Sequence, residues 1–172
     1  MQKGLAHMDT VTQIQLPHGH ITTIDEIDSD LSALSVTVRK PPTSGPYAFV
    51  NMKVDGKYRA ISIHTIILER MLGRKLEKGE LVDHIDLNPL NNRRSNLRLA
   101  NKRKNATNSK KRSDNKSGYK GVCWSKPAKR WRAYGKRDGK QIHLGYFDTP
   151  TEAHNAYRNF AAIEYGEYAR YE

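Results

Sequence analysis

The sequence predicts an α+β protein made of small folded units. Three observations carry that expectation. Asp55-Gly56 stands between the alternating segments 47–54 and 58–63, and both residues tolerate positive φ, so the pair reads as a tight hairpin turn. Residues 109–118 hold no apolar side chain and mark the best boundary between units. Thr149-Pro150-Thr151-Glu152 combines a Thr cap, a proline at the first helical position and a Glu completing a capping box, so a helix is expected to start there.

The elements follow in chain order. Residues 1–20 read as irregular, and residues 21–38 alternate weakly around the acidic run Asp25-Glu26-Ile27-Asp28-Ser29-Asp30. Residues 41–46 read as a turn. The stretch 1–46 is therefore a small β region of uncertain structure. Residues 65–72 fit a short helix stopped by Gly73. Strands are expected at 81–85 and 96–99 around a loop at 88–92, then a helix over 102–111 with Asn101 as its cap. Beyond the polar boundary, three strands fit 119–124, 130–136 and 141–146, with Arg137-Asp138-Gly139 turning the chain into the third. In the last helix Ala153, Ala156, Tyr157, Phe160 and Ala161 recur at i, i+3, i+4, i+7 and i+8. That is one apolar stripe able to cover a three-stranded sheet, and Gly166 ends the helix. The expected domains are 1–46, 47–112 and 113–172.

Charge narrows the partners. The chain of 172 residues carries a net charge of +12, unevenly placed. Residues 1–82 hold ten Lys/Arg against nine Asp/Glu, and residues 83–172 hold twenty against nine. Residues 93–140 hold eighteen basic and two acidic side chains. A field of one sign confined to one region points to phosphate as the partner. The hydrophobic fraction of 37% suits modest cores. Cys123 is the single cysteine, which excludes an internal disulfide and a Cys-based zinc site. No apolar run reaches the length of a membrane span and the N-terminus lacks a secretory core, so an intracellular protein with no membrane partner is expected.

One segment carries chemistry. Asp83 precedes His84; Asn96 follows the imidazole by twelve residues and Asn105 by twenty-one. Cutting a phosphodiester needs an activated water, neutralised charge at phosphorus and a stabilised leaving oxygen. A neutral histidine can take the proton from water. A hard divalent ion, magnesium or manganese, can be held by carboxylate and amide oxygens. His84 is the expected base, Asp83 and Asn105 the expected ligands of one ion, and Asn96, from the facing strand, the group fixing the imidazole near its other nitrogen. Strict alternation would put Asp83 and His84 on opposite faces of a strand. The pair is therefore expected where the strand ends or twists. His64 reads as a structural histidine steadying the core.

Val82-Asp83-His84-Ile85-Asp86, Asn91-Asn92-Arg93-Arg94-Ser95-Asn96-Leu97-Arg98 and Lys102-Arg103-Lys104-Asn105-Ala106-Thr107-Asn108 closely resemble the HNH homing endonucleases of phages and introns. His64 before an apolar helix also fits. The resemblance implies a ββα-metal (His-Me finger) fold and cleavage of double-stranded DNA to 5′-phosphate and 3′-hydroxyl ends. By position it makes Asp83 and Asn105 metal ligands, His84 the general base and Asn96 the central asparagine. The last position is Asn rather than His, and Asn108 stands one helical turn further on as the alternative ligand. Arg93, Arg94 and Arg98 are expected on DNA.

Residues 117–172 resemble the Apetala/ethylene-response-factor DNA-binding domain. The residues that carry this are Gly118-Tyr119-Lys120-Gly121-Val122, Trp131-Arg132-Ala133, Leu144-Gly145-Tyr146-Phe147-Asp148-Thr149, Glu152-Ala153, Ala156-Tyr157 and Ala161-Ala162. The resemblance implies a three-stranded antiparallel sheet packed on one α-helix and lying in the major groove. Alternation then turns Val122, Trp131, Ala133, Gly135, Ile142 and Leu144 toward the helix. Arg132, Tyr134, Lys136, Gln141 and His143 face DNA, joined by Lys120, Cys123 and Ser125. Trp124 is expected in the core beside Trp131. The whole reads as a metal-dependent DNA endonuclease of a phage-infected bacterial host. The rival reading is a non-cutting DNA-binding regulator with a vestigial nuclease fold.

Overall fold

The computed structural model describes residues 10–41 and 45–171. The first half of the stretch expected to be irregular, and the centre of the turn expected at 41–46, lie outside the described residues. The chain forms two compact units, Met1–Lys102 and Arg103–Glu172.

In the first unit, part of the stretch expected to be irregular is a strand. β1 (Val11–Gln15) pairs antiparallel with β2 (Ile21–Asp25) through a turn at Pro17–Gly19. Within β1 only Ile14 is buried, so its alternation is too faint to read. A 3-10 helix, Glu26–Ala33, takes up the acidic run. β3 (Val36–Arg39), β4 (Tyr47–Val54) and β5 (Lys57–Ser62) form an antiparallel sheet in that order. The Asp55-Gly56 turn has φ of 50° and 78°, the positive values a tight hairpin asks for.

α1 (Ile63–Leu72) starts two residues before the expected 65, because the fully buried Ile63 belongs to its first turn and not to the strand. Gly73 closes it in the left-handed region. The core joins Ile14, Leu16 and Ile24 of the hairpin to Leu31, Ala48, Val50, Ile63, Ile66, Ile67 and Leu97. Each large side chain among these contributes roughly 1.5–3 kcal/mol. The N-terminal region is thus integral to the unit. β6 (Glu80–His84) pairs antiparallel with β7 (Leu97–Asn101); α2 (Lys102–Thr107), shorter than the expected 102–111, starts at the last residue of this unit and belongs otherwise to the second.

The second unit has β8 (Val122–Ser125), β9 (Arg130–Arg137) and β10 (Lys140–Phe147) in the antiparallel order β10-β9-β8. α3 (Pro150–Tyr165) packs on the sheet. The Thr149 hydroxyl accepts from the Glu152 N–H, and the Glu152 carboxylate accepts from the Thr149 N–H, both at 3.2 Å. Such a cap contributes about 1 kcal/mol. Ala153, Tyr157 and Ala161 are buried, and Ala156 packs beside Val122 and Ala133. β8 begins at Val122 and not at 119, because side chains take over the preceding backbone. Ser117 Oγ accepts from the Tyr119 N–H, and Asn115 Nδ2 donates to the Tyr119 carbonyl.

β10 departs from strict alternation. The pairing runs Tyr134 with His143, then Ala133 with Gly145 and Arg132 with Tyr146, so Leu144 is the extra residue of a bulge. Gly145 takes φ of 133° there. Leu144 and Phe147 still reach the core, and Tyr146 turns to the face of Arg132 and His143. Trp124 lies opposite Trp131, with ring centroids 5.2 Å apart, but is 49% exposed at the sheet edge rather than in the core. No described helix is long and apolar enough to cross a membrane.

Candidate functional site

β6 ends at His84, so Asp83 and His84 sit where the strand gives way to a loop. Both are buried, at 2% and 7% exposure. Asp83 Oδ2 accepts from Arg98 Nε and Nη2, each at 2.7 Å, and Arg98 is its register partner on β7. The His84 ring packs edge-on against His64 at 5.1 Å between centroids, with Tyr47 behind both. Burial holds the His84 pKa below the usual histidine value, against the raising influence of the Asn92 bond and of Asp86 and Asp83. Burial, with His84 adjacent, brings His64 down to about 3. Ser62 Oγ lies 3.1 Å from His64 Nε2. These are the surroundings of a neutral ring.

The expected partner of the imidazole is corrected. Asn96 closes a 3-10 turn, Arg94–Asn96, just before β7, and its side chain serves the loop instead of the ring. Its Oδ1 accepts from the Asp86 N–H at 3.0 Å, and its Nδ2 donates to Asp86 Oδ1 at 2.9 Å and to the Asn91 carbonyl at 2.8 Å. The Asn96 carbonyl accepts from Ile85 N–H at 2.9 Å. Asp86 in turn accepts from Asn88 N–H and Asn91 Nδ2, each at 2.7 Å. Burial alone would raise the Asp86 pKa, but these donors outweigh it and hold the carboxyl below its ordinary value. Asn96 therefore locks the turn that follows β6. The side chain on the ring is Asn92, whose Oδ1 lies 3.1 Å from His84 Nε2. The repeated Asn91-Asn92 was the sequence signal, but nothing in the spacing separated Asn92 from an ordinary loop residue.

The three arginines expected on DNA are engaged within the unit. Arg94 Nε and Nη2 reach the two oxygens of the fully buried Asp28 at 2.7 and 3.0 Å. Arg93 Nε bonds to Asp25 at 3.0 Å, and Arg98 bonds to Asp83. The cause is the acidic run 25–30, which folds against the loop and draws two of these cations inward.

A buried carboxylate beside a neutral imidazole fits the chemistry of a hard divalent ion, which takes oxygen donors and keeps much of its water. Among the described residues no group of three or more His, Cys, Asp or Glu is placed to hold a metal. In the second unit, Asn105 is exposed on α2, whereas Asn108 is buried at 3% exposure.

The face of the second unit's sheet opposite α3 gathers most of the residues expected there. Arg132 Nε lies 3.3 Å from His143 Nδ1, and its guanidinium is 5.8 Å from the Tyr134 ring. Lys136 pairs in register with Gln141, and both are exposed. Tyr146 joins them, 4.6 Å from His143, brought there by the bulge at Leu144. The mid-strand Gly145 was the signal for that bulge. Lys120 is the exception. It lies before β8, and its ammonium donates to the carbonyls of Thr107 at 2.7 Å and Ser109 at 2.6 Å. Burial, with Arg170 nearby, lowers its pKa to about 8. It is an internal tie and not part of this face.

Comparison with known proteins now bears on these residues. A family model described as HNH endonuclease matches residues 62–107. The chain is 37% identical over 114 residues to Protein 3.8 of Escherichia phage T7, which spans 66% of this chain and 93% of that protein. It is 31% identical over 109 residues to an uncharacterized HNH endonuclease of Acanthamoeba polyphaga mimivirus, spanning 63% of this chain and 56% of that one. No solved structure matches. The chain thus belongs to one family with the phage T7 protein, and its segment 62–107, which carries Asp83, His84, Asn92 and Asn96, is an HNH endonuclease domain.

Proposed function

We propose that the protein is a metal-dependent DNA endonuclease, cutting phosphodiesters to 5′-phosphate and 3′-hydroxyl ends. The observation that carries this is the buried Asp83-His84 pair at the end of β6, inside the segment matched by the HNH model. His84, kept neutral by burial, takes the proton from the attacking water. Asp83 is the carboxylate that would hold a divalent ion, and by the resemblance Asn105 of α2, or Asn108 just beyond it, is the proposed amide ligand. Bound there, magnesium or manganese would supply charge neutralisation at phosphorus and at the leaving oxygen. Asn96 keeps the turn after β6 in the shape that presents both side chains. Arg98 balances Asp83 and holds its carboxylate in place.

The second unit is proposed to bind double-stranded DNA as an Apetala/ethylene-response-factor type domain. Its sheet face presents Arg132, Tyr134, Lys136, Gln141, His143 and Tyr146 to the major groove. The supporting features are a three-stranded antiparallel sheet on one helix and this basic and aromatic face.

Supercoiled plasmid incubated with the protein and magnesium should be nicked or linearised, and a chelator should stop it. His84→Ala should cut about 10²-fold more slowly or worse while still binding DNA. A folded His84→Ala protein that cuts normally would overturn the assignment. Binding without any metal-dependent cutting by the unaltered protein would favour the non-catalytic regulator instead.

A further inference from the structure

The donor and acceptor pattern around Asn92 runs in one direction only. Thr22 Oγ1 lies 2.8 Å from the Leu90 carbonyl, which can only accept, so the hydroxyl proton is spent there. The same oxygen then has only lone pairs for Asn92, whose Nδ2 donates to it at 2.7 Å. That fixes which end of the amide is which, and Nδ2 also points at the Pro89 carbonyl at 3.5 Å. Asn92 Oδ1 is therefore the atom 3.1 Å from His84 Nε2, and an amide oxygen can only accept. Thr22 and Asn92 both have 0% exposure, so water does not compete for these bonds.

The backbone holds the relay in register. Thr23 N–H donates to the Leu90 carbonyl at 2.9 Å, and Asn92 N–H donates to the Thr23 carbonyl at 2.8 Å. The loop after β6 is thus stitched alongside β2 by a parallel bridge between Thr23 and Asn91.

The geometry points to Thr22 and Asn92 as positioning residues that fix the His84 imidazole in the tautomer with its proton on Nε2. This rests on the endonuclease reading for its chemical meaning. The lone pair then stands on Nδ1, and Nδ1 is the atom that receives the proton of the attacking water. The opposite tautomer would spend the lone pair against Asn92, where no proton arrives. Neutral histidine takes either tautomer, and the partner of the other nitrogen decides which. Thr22 lies forty residues before the start of the matched segment 62–107, so the N-terminal hairpin supplies part of the catalytic apparatus that the family segment lacks.

The test uses the full chain labelled with nitrogen-15 histidine, at mildly alkaline pH, with the His84 signals identified by their loss in His84→Ala. In the unaltered protein Nε2 should show the shift of a protonated ring nitrogen and Nδ1 that of an unprotonated one. Thr22→Val keeps the shape and removes the hydroxyl. It should move the ring toward a mixture of tautomers and lower kcat by about 10-fold or more with KM unchanged. Thr22→Ser should restore both readouts. Asn92→Asp, which keeps an acceptor facing Nε2, should keep the tautomer, and Asn92→Leu should lose it. A proton on Nδ1 in the unaltered protein overturns the inference, as does a folded Thr22→Val variant with unchanged ring shifts. Should the unaltered protein cut no DNA, the endonuclease reading falls, and the ring shifts still decide the tautomer. If Thr22→Val does not fold, the ring shifts of the unaltered protein and the two Asn92 variants decide.

Discussion

Asp28 is a carboxylate with 0% exposure that holds two arginines at once. Its Oδ1 accepts from Arg70 at 2.9 Å, and both of its oxygens accept from Arg94. Burial by itself would raise its pKa, but the Arg94 and Arg70 bonds prevail and hold it below the ordinary carboxylate value. The sign of the linkage follows. A carboxyl whose folded pKa is depressed contributes stability above its unfolded pKa, about 4. That contribution is lost as pH falls through the lower folded value. Asp28→Asn removes the carboxylate bonded to Arg94 and one of the two that hold Arg70, which keeps Asp30 at 2.7 and 2.8 Å, at a cost of about 3 kcal/mol. Urea unfolding at neutral pH should show that loss, and the gap between variant and unaltered protein should close as pH drops below about 4. A constant gap down to strong acid would contradict this role. Arg94, on the other side of the pair, is expected to change stability and to leave the salt dependence of DNA binding alone.

The elements that could be read from the sequence are those whose cause is local. The capping box at Thr149 needs four adjacent residues, and the Asp55-Gly56 turn needs two. β1 could not be read, because its burial depends on Ile14 meeting residues far along the chain. At the site, Asp83 and His84 were legible as neighbours, but Asn92 takes its meaning from Thr22, seventy residues away. The β10 bulge was hidden for the same reason, since register belongs to two strands together. Gly121 gives the second unit a sharp test. Its φ is 74°, and a Cβ there would overlap the Tyr157 ring, one of the anchors of α3. Gly121→Ala should cost about 1–3 kcal/mol from overpacking, with backbone strain added. Gly56→Ala has φ of 78° but open space, so it should cost only about 1 kcal/mol. Thermal melts of the two variants decide it. Equal losses would mean that the Tyr157 contact is not what makes Gly121 necessary.

Across the whole molecule, charge divides unevenly between the units. Residues 1–102 hold fourteen Lys/Arg and eleven Asp/Glu, a net of +3, and residues 103–172 hold sixteen and seven, a net of +9. The second unit therefore carries most of the attraction to phosphate, and its binding should weaken steeply with salt as counterions are released. Where that unit starts is a physical question. Residues 113–172 hold the sheet and α3, but the Lys120 ammonium is seated on the carbonyls of Thr107 and Ser109, and Arg103 bonds to Asp138 and Glu164. A fragment 103–172 should fold with these ties, and a fragment 113–172 should be less stable, because a half-buried ammonium loses both acceptors. Hydrogen bonds to a charged group contribute about 1.5–3 kcal/mol. Lys120→Ala in the longer fragment should lower the melting temperature with little change in salt slope. Lys136→Ala should do the reverse, weakening binding to every sequence and reducing the slope by about one. Arg132→Ala should relax preference at one base position, at a cost of roughly 1–3 kcal/mol. Titration of the fragments against duplex DNA at several salt concentrations, beside their melting curves, separates these roles. A folded 103–172 fragment with no affinity at low salt would remove DNA binding from this unit and leave its sheet face without the partner proposed for it.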